Sequence, residues 1–282
     1  MAVVPRRSHI DSRGGRGLLG PLLILLGALL LAYPLAAELL SHANQIEAVT
    51  SYDDAASELD AQQLADAWEA ARVYNENLAG DPVHDPFVAG SGYALPTNYE
   101  SVLNVGGDGV MGYLEIPKIG VRLPIYHGTS AEVLERGVGH IAQTALPIGG
   151  VGNRSFLTGH RGLPNAELFT RLDELEQGDL IYIHVLDQVL CYSVSGKEVV
   201  EPDETEGLVA DPARGMVTLV TCTPYGVNTQ RLLVDCDRCD YVDPDAAGEA
   251  ATPSWWGLRP VLAGVAVGLV LLLVVSLMAR RR

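Results

Sequence analysis

Thr218-Leu219-Val220-Thr221-Cys222-Thr223-Pro224-Tyr225-Gly226-Val227-Asn228-Thr229-Gln230-Arg231-Leu232-Leu233-Val234 is the stretch from which the fold of this chain is read. Two short runs of strand-forming residues flank Pro224, Gly226 and Asn228, which favour turns. The stretch therefore predicts two strands joined by a loop. Cys222 closes the first, which begins at Met216, and Arg231 opens the second.

The same texture continues on both sides. From Gly112 onward, short β-type runs alternate with turn residues, at 112–117, 121–126, 155–158, 180–186, 189–194, 197–201, 216–221 and 231–235. Helical pieces are brief, near 130–136 and 165–171. A parallel α/β sheet needs repeated helical crossovers, and none are seen. The expected fold is mainly β, a closed or nearly closed barrel of eight strands with short helices, over 111–243.

Ahead of the barrel, Ile46, Val49, Tyr52, Ala56, Leu59, Ala67, Ala71, Tyr74 and Leu78 recur at mostly three- or four-residue steps, so 38–79 reads as a helical lead-in. Gly80-Asp81-Pro82-Val83-His84-Asp85-Pro86-Phe87 then opens a long loop region, 80–110, dense in helix and strand breakers. Loops of that length are functional covers or disorder.

Two apolar runs frame this domain, 18–37 and 260–279, each long enough to cross roughly 30 Å of hydrocarbon as a helix. Basic tails lie outside them, at 1–17 and 280–282, and a linker at 244–259 carries Trp255–Trp256 near the second interface. The formal charge of −16 is unevenly spread. Residues 1–37 hold four arginines and one aspartate, a net +3, and 259–282 hold four arginines, +4. The remaining 11 bases and 34 acids give the middle −23. Arginine flanks stay cytoplasmic and tryptophan prefers the interface, so both termini are expected inside and the acidic domain outside. Cleavage after Leu35-Ala36-Ala37 is the alternative for the first run. Acidity argues against nucleic-acid binding, and 48% hydrophobic residues argue against disorder.

Three polar residues sit at predicted strand ends: His160 in Thr158-Gly159-His160-Arg161, Cys222 and Arg231. Neighbouring strand ends of a small barrel meet at one rim, where the three can converge. A thiolate is a nucleophile that a nearby cation stabilises. An imidazole can move the proton of a leaving or entering amine, and a guanidinium suits an oxyanion. Each residue also has a plainer reading: a buried or disulfide-bonded cysteine, a turn histidine, an arginine in a surface ion pair.

The motifs Thr158-Gly159-His160-Arg161 and Thr218–Val234 resemble those of the sortase family, and Cys-Thr-Pro-Tyr-Gly leading to Asn-Thr-x-Arg-Leu-Leu resembles its class C, pilus-assembling branch. Tyr113–Gly120, Leu123–Thr129 and Gly137-Val138-Gly139-His140 are similar to the same branch. The resemblance implies a sortase-type barrel that cleaves an LPXTG-type sorting signal between Thr and Gly through a thioester. An acceptor pilin lysine then resolves the thioester, polymerising pilus subunits at the outer face of a Gram-positive membrane. It implies Cys222 as nucleophile, His160 as acid/base and Arg231 as stabiliser. Asp85-Pro86-Phe87 resembles the class C lid motif, which implies Asp85 against the catalytic arginine and Phe87 over the thiol. The alternative substrate chemistry is anchoring of surface proteins to the cell-wall peptidoglycan precursor.

Thr221 either bonds substrate or lid or completes its strand. His127 and His140 read as structural, and Phe156, Leu157, Val220 and Leu233 as barrel core. Cys236-Asp237-Arg238-Cys239 reads as a local disulfide, with pairing to Cys191 open. This pair also supports a rival tethered redox protein, and a surface binding module is the non-enzymatic alternative. The acidic run Glu201–Glu206 reads as a solvated loop, so no metal is expected. No cofactor is expected either, since phosphate-loop and dinucleotide fingerprints are missing.

Overall fold

Alternation of apolar and polar residues along short β-branched runs buries one face of each strand and leaves the other for a second layer. In the computed structural model, residues 16–78, 98–163, 166–202 and 209–243 are described, with scattered positions between 262 and 273. Among the described residues eight strands form: β1 Val110–Ile116, β2 Val121–His127, β3 Val138–His140, β4 Arg154–Thr158, β5 Leu180–Val185, β6 Gln188–Val200, β7 Met216–Thr223 and β8 Gln230–Arg238. They close into a barrel in the order β1-β2-β3-β4-β7-β8-β6-β5. The pairs β2–β3 and β4–β7 are parallel and the rest antiparallel.

The main core contains Leu114, Ile116, Leu157, Ile183, Val217, Leu219 and Val234, all fully buried. Burying a side chain of this size contributes about 1.5–3 kcal/mol each. A second, smaller cluster holds Ile141, Phe156, Val200, Val220 and Leu233. On β4, β7 and β8 its members alternate with those of the main core, so they line the opposite face of the sheet. Phe156, Leu157, Val220 and Leu233 are all buried, as expected of core residues, with Leu157 in the main core and the other three in the second cluster.

Three expectations are corrected. The runs 189–194 and 197–201 are one strand, β6, whose pairing with β8 shifts register between Val194 and Gly196. Ser195-Gly196 is therefore a bulge, and not a turn. The strand β3 carries no clear signal, because it has only three residues and its central one is Gly139. That glycine is needed: a Cβ there would lie 2.5 Å from the Gly128 carbonyl oxygen. The helical piece near 165–171 is not formed among its described residues, which turn irregularly through a positive φ at Leu168 before a 3₁₀ turn, Leu172–Glu174.

The lead-in is two helices, α1 Arg16–Ser57 and α2 Ala61–Asn77. Asp60 starts α2 with a capping box, accepting from the Gln62 and Gln63 amides at 2.9 and 2.8 Å while Gln63 accepts from its own. The short crossover between β2 and β3 holds α3, Ala131–Arg136. The chain divides into two units, 38–254 and a second made of 1–37 with 255–282. The helix over Leu26–Ser57, near the N-terminus, is long and apolar enough to cross a membrane by length and composition. The second apolar run is described only at Leu262, Gly264, 266–270 and Leu273, which are helical and do not establish a span.

Polar contacts fasten the helices to the barrel. The Tyr52 hydroxyl donates to Met111 O and accepts from the Leu186 amide, and Tyr74 donates to Ala142 O. Asn75 accepts from the Leu146 amide at 2.7 Å and donates to its carbonyl. After the undescribed segment 79–97, Tyr99 is buried in a 3₁₀ turn, Tyr99–Ser101, accepting from the Gly128 amide and lying 2.9 Å from His140 Nδ1. His140 Nε2 lies 2.9 Å from Ala145 O, so a neutral ring donating there and accepting from Tyr99 satisfies both nitrogens.

Complete burial pulls His140 down from 6.5 to about 4. Between those values the unfolded chain binds a proton that the folded chain refuses, so stability falls as pH falls through this window and levels off below it. Thermal melting from about pH 7 to about pH 4.5 should show a declining Tm, and His140→Gln should flatten that decline.

Candidate active site

Parallel pairing of β4 with β7 aligns Thr158 with Val220. The pairing runs on past the strand end, where the Gly159 amide donates to Val220 O at 3.1 Å. The Thr221 hydroxyl, fully buried, donates to Gly159 O at 2.8 Å. His160 and Cys222 each lie two residues beyond the aligned pair Thr158–Val220. His160 thus follows the end of β4, beside the stretch of β7 that carries Cys222. On the other side, Cys222 stands directly opposite Arg231 in the β7–β8 ladder. Cys222 thus has Arg231 opposite it on β8, and on its other side the end of β4, from which His160 follows.

Cys222 and Arg231 are each about 8% exposed, and His160 is half-buried. Burial holds the His160 imidazole below its ordinary value, with the Glu135 carboxylate working against that shift. A neutral imidazole beside a thiol is placed to accept its proton, and a fixed guanidinium favours the resulting anion. Arg231 Nη1 donates to Asn228 O and Gln230 O at 3.3 and 3.1 Å. The loop supplying those carbonyls is folded on itself, with the Val227 and Asn228 amides both donating to Pro224 O. Asn228 adopts a left-handed φ of 61°, which asparagine tolerates well.

Comparison with known proteins identifies the family. The family profile described as "Sortase domain" matches residues 114–239. The chain is 43% identical to sortase C-1 from Actinomyces oris, covering 64% of this chain and 99% of that one with a TM-score of 0.61. The chain belongs to the sortase family. Sortase C from Streptococcus pneumoniae is similar at 38% identity and TM-score 0.65, over 70% of this chain and 99% of that one. Among curated relatives, sortase D of Bacillus subtilis (strain 168) is 34% identical over 114 residues, 40% of this chain. The chain spans about half the length of that relative, 54%. Sortases are cysteine transpeptidases, and the solved neighbours are of class C.

Three contributors to this sortase site were not legible as such in the sequence. Arg161, next to His160, is buried and holds three segments at once. Its Nε donates to Thr170 O at 3.3 Å, Nη1 to Thr223 Oγ1 at 3.1 Å, and Nη2 pairs with Asp173 Oδ2 at 2.6 Å. Thr223 directly follows Cys222, so one guanidinium ties the histidine loop to the cysteine strand. Gly159 is the second: a Cβ there would meet the Phe169 ring at 2.9 Å, while the Phe169 amide donates to His160 O. The apolar cluster of Phe156, Val220 and Leu233 is the third, occupying the same sheet face as Cys222 and Arg231.

Thr221 is the residue for which substrate contact and strand completion were both open, and its hydroxyl is used by Gly159 O. Asp85 and Phe87 lie outside the described residues. The expected local bridge of Cys236 with Cys239 is not formed, and Cys236 packs in the main core. No cluster able to hold a metal occurs among the described residues.

Arg161→Ala should misplace His160 relative to Cys222 and lower the thiolate fraction near neutral pH. Alkylation of Cys222 by iodoacetamide at about pH 6 should slow by roughly tenfold, since small displacements of paired groups carry large rate effects. Arg161→Lys should recover only part of that rate, because one ammonium cannot meet three partners in the guanidinium's plane.

Proposed function

We propose that this protein is a membrane-tethered pilin-polymerising sortase acting on LPXTG-type sorting signals. The Cys222 thiolate attacks the carbonyl between Thr and Gly, giving a tetrahedral oxyanion beside the Arg231 guanidinium. Collapse to a thioester expels the glycine amine, which takes its proton from His160. A pilin lysine amine then attacks the thioester, His160 accepts its proton, and Cys222 leaves as the new isopeptide bond forms. The supporting observation is that Cys222 stands opposite Arg231 in the β7–β8 ladder while His160 follows the end of β4, the strand on the other side of β7.

The choice of a lysine over a peptidoglycan amine is supported by the class C neighbours. The published description of the S. pneumoniae enzyme concerns pilin substrate specificity. It is also supported by Asp85-Pro86-Phe87, which we assign as a lid with Asp85 toward Arg231 and Phe87 over the Cys222 sulfur. Both ends of the segment that carries it are anchored beside β3, the neighbour of β4: Tyr74 and Asn75 at one end, Tyr99 at the other. The arginine-flanked apolar runs support a topology with both termini cytoplasmic and unit 38–254 outside.

Full-length protein in detergent, incubated with a sorting-signal peptide and a candidate pilin, should form a thioester on Cys222 that passes to a pilin lysine. Cys222→Ala should abolish both steps, and signal cleavage by that variant would remove the mechanism. Phe87→Ala should raise the rate of Cys222 modification by a small thiol reagent several-fold. An unchanged rate would refute the lid assignment.

A further inference from the structure

The three cysteines outside the catalytic site are not equivalent. Cys236, on β8 opposite Val194, is fully buried in the main core with its sulfur 3.8 Å from Val234 O. Burial pushes its thiol well above the ordinary range. Cys191 lies on β6, and Cys239 follows directly after β8. The β6–β8 ladder pairs Tyr192 with Arg238, and one step further the Cys239 amide donates to Cys191 O at 3.0 Å. The two sulfurs are 3.0 Å apart. Arg238 Nη1 donates to both Cys191 O and Cys239 O, at 2.7 and 2.8 Å, holding the two backbones together.

This pair is remote from the chemistry. Cys222 stands opposite Arg231 at one end of the β7–β8 ladder, whereas Met216 stands opposite Asp237 at the other. That length of strand is about 20 Å. Cys239 is also where the chain leaves the barrel toward the second apolar run.

We propose that Cys191 and Cys239 are a disulfide site that fastens the departing chain to β6 while Cys222 remains a thiol. The oxidant is an external disulfide, from a small molecule or an oxidoreductase. Cys239 is the more exposed of the two, so its thiolate attacks that disulfide, forming a mixed disulfide and releasing one oxidant thiol. The Cys191 thiolate then attacks Cys239 Sγ and expels the second. Two electrons and the two cysteine protons end on the reduced oxidant, and one S–S bond replaces another. The closed loop runs from residue 191 to 239 and includes Cys222 and Arg231, so the link restrains the unfolded chain around the whole site. Pairing rests on geometry alone, whereas oxidation in the cell rests on the outward placement proposed above.

The test uses full-length protein in detergent, equilibrated with oxidised glutathione, alkylated and digested without reduction for mass spectrometry. The expected product joins the Cys191 and Cys239 peptides, with Cys222 and Cys236 in no protein cross-link. Reduction, or Cys239→Ser at the half-exposed partner, should lower Tm by on the order of 10 °C and leave Cys222 alkylation unchanged. A Cys236–Cys239 link, or four alkylated thiols after oxidation, would overturn the proposal. A second arm alkylates whole cells before lysis and should yield the same link. If purified protein forms the link but cells hold both thiols free, the pairing stands and the outward placement fails.

Discussion

The parallel pairing of β4 with β7 is the constraint on which the site depends. His160 and Cys222 are separated by more than sixty residues of chain, and neither strand alone places them together. What does so is a short set of bonds past the strand ends: the Gly159 amide to Val220 O and the Thr221 hydroxyl to Gly159 O. Both are buried, where an unmet partner costs about 1–3 kcal/mol. That penalty makes the register hard to slip. Arg161 reinforces the same junction from the other side through Thr223, Thr170 and Asp173. The antiparallel β7–β8 ladder then needs only its own register to bring Arg231 opposite Cys222.

The two faces of β7 divide the work. Val217 and Leu219 turn inward and hold the barrel together. Val220 and Cys222 turn the other way, onto the face that carries the candidate site. A residue such as Thr221 therefore belongs to the packed side even though it adjoins the nucleophile. Its hydroxyl serves the scaffold, and adjacency in sequence says little about which face a strand residue serves.

Much of the fold was legible because strand texture is local. Seven of the eight strands came from runs of β-branched and apolar residues, although two of those runs proved to be the halves of β6. The exception, β3, is three residues long with a central Gly139, and its existence depends on close approach to Gly128, which local propensity does not record. The piece near 165–171 failed for a related reason. Its apolar residues looked helical, but tertiary packing of Phe169 against Gly159 bends the chain.

By itself the sequence determined the strand-rich domain, its helical lead-in, the apolar runs and their charge asymmetry, and it singled out His160, Cys222 and Arg231 as candidates. Those are properties of composition, period and motif. Only the tertiary structure decided which strands are neighbours, that Arg161 bridges the histidine and cysteine loops, and which cysteines meet. Cys236 and Cys239 are close in sequence, yet one faces the core and the other meets Cys191 across a strand pair. The physical reason is that side-chain direction alternates along a strand, whereas partner choice is made across the sheet, by backbone bonds and burial that no linear spacing encodes.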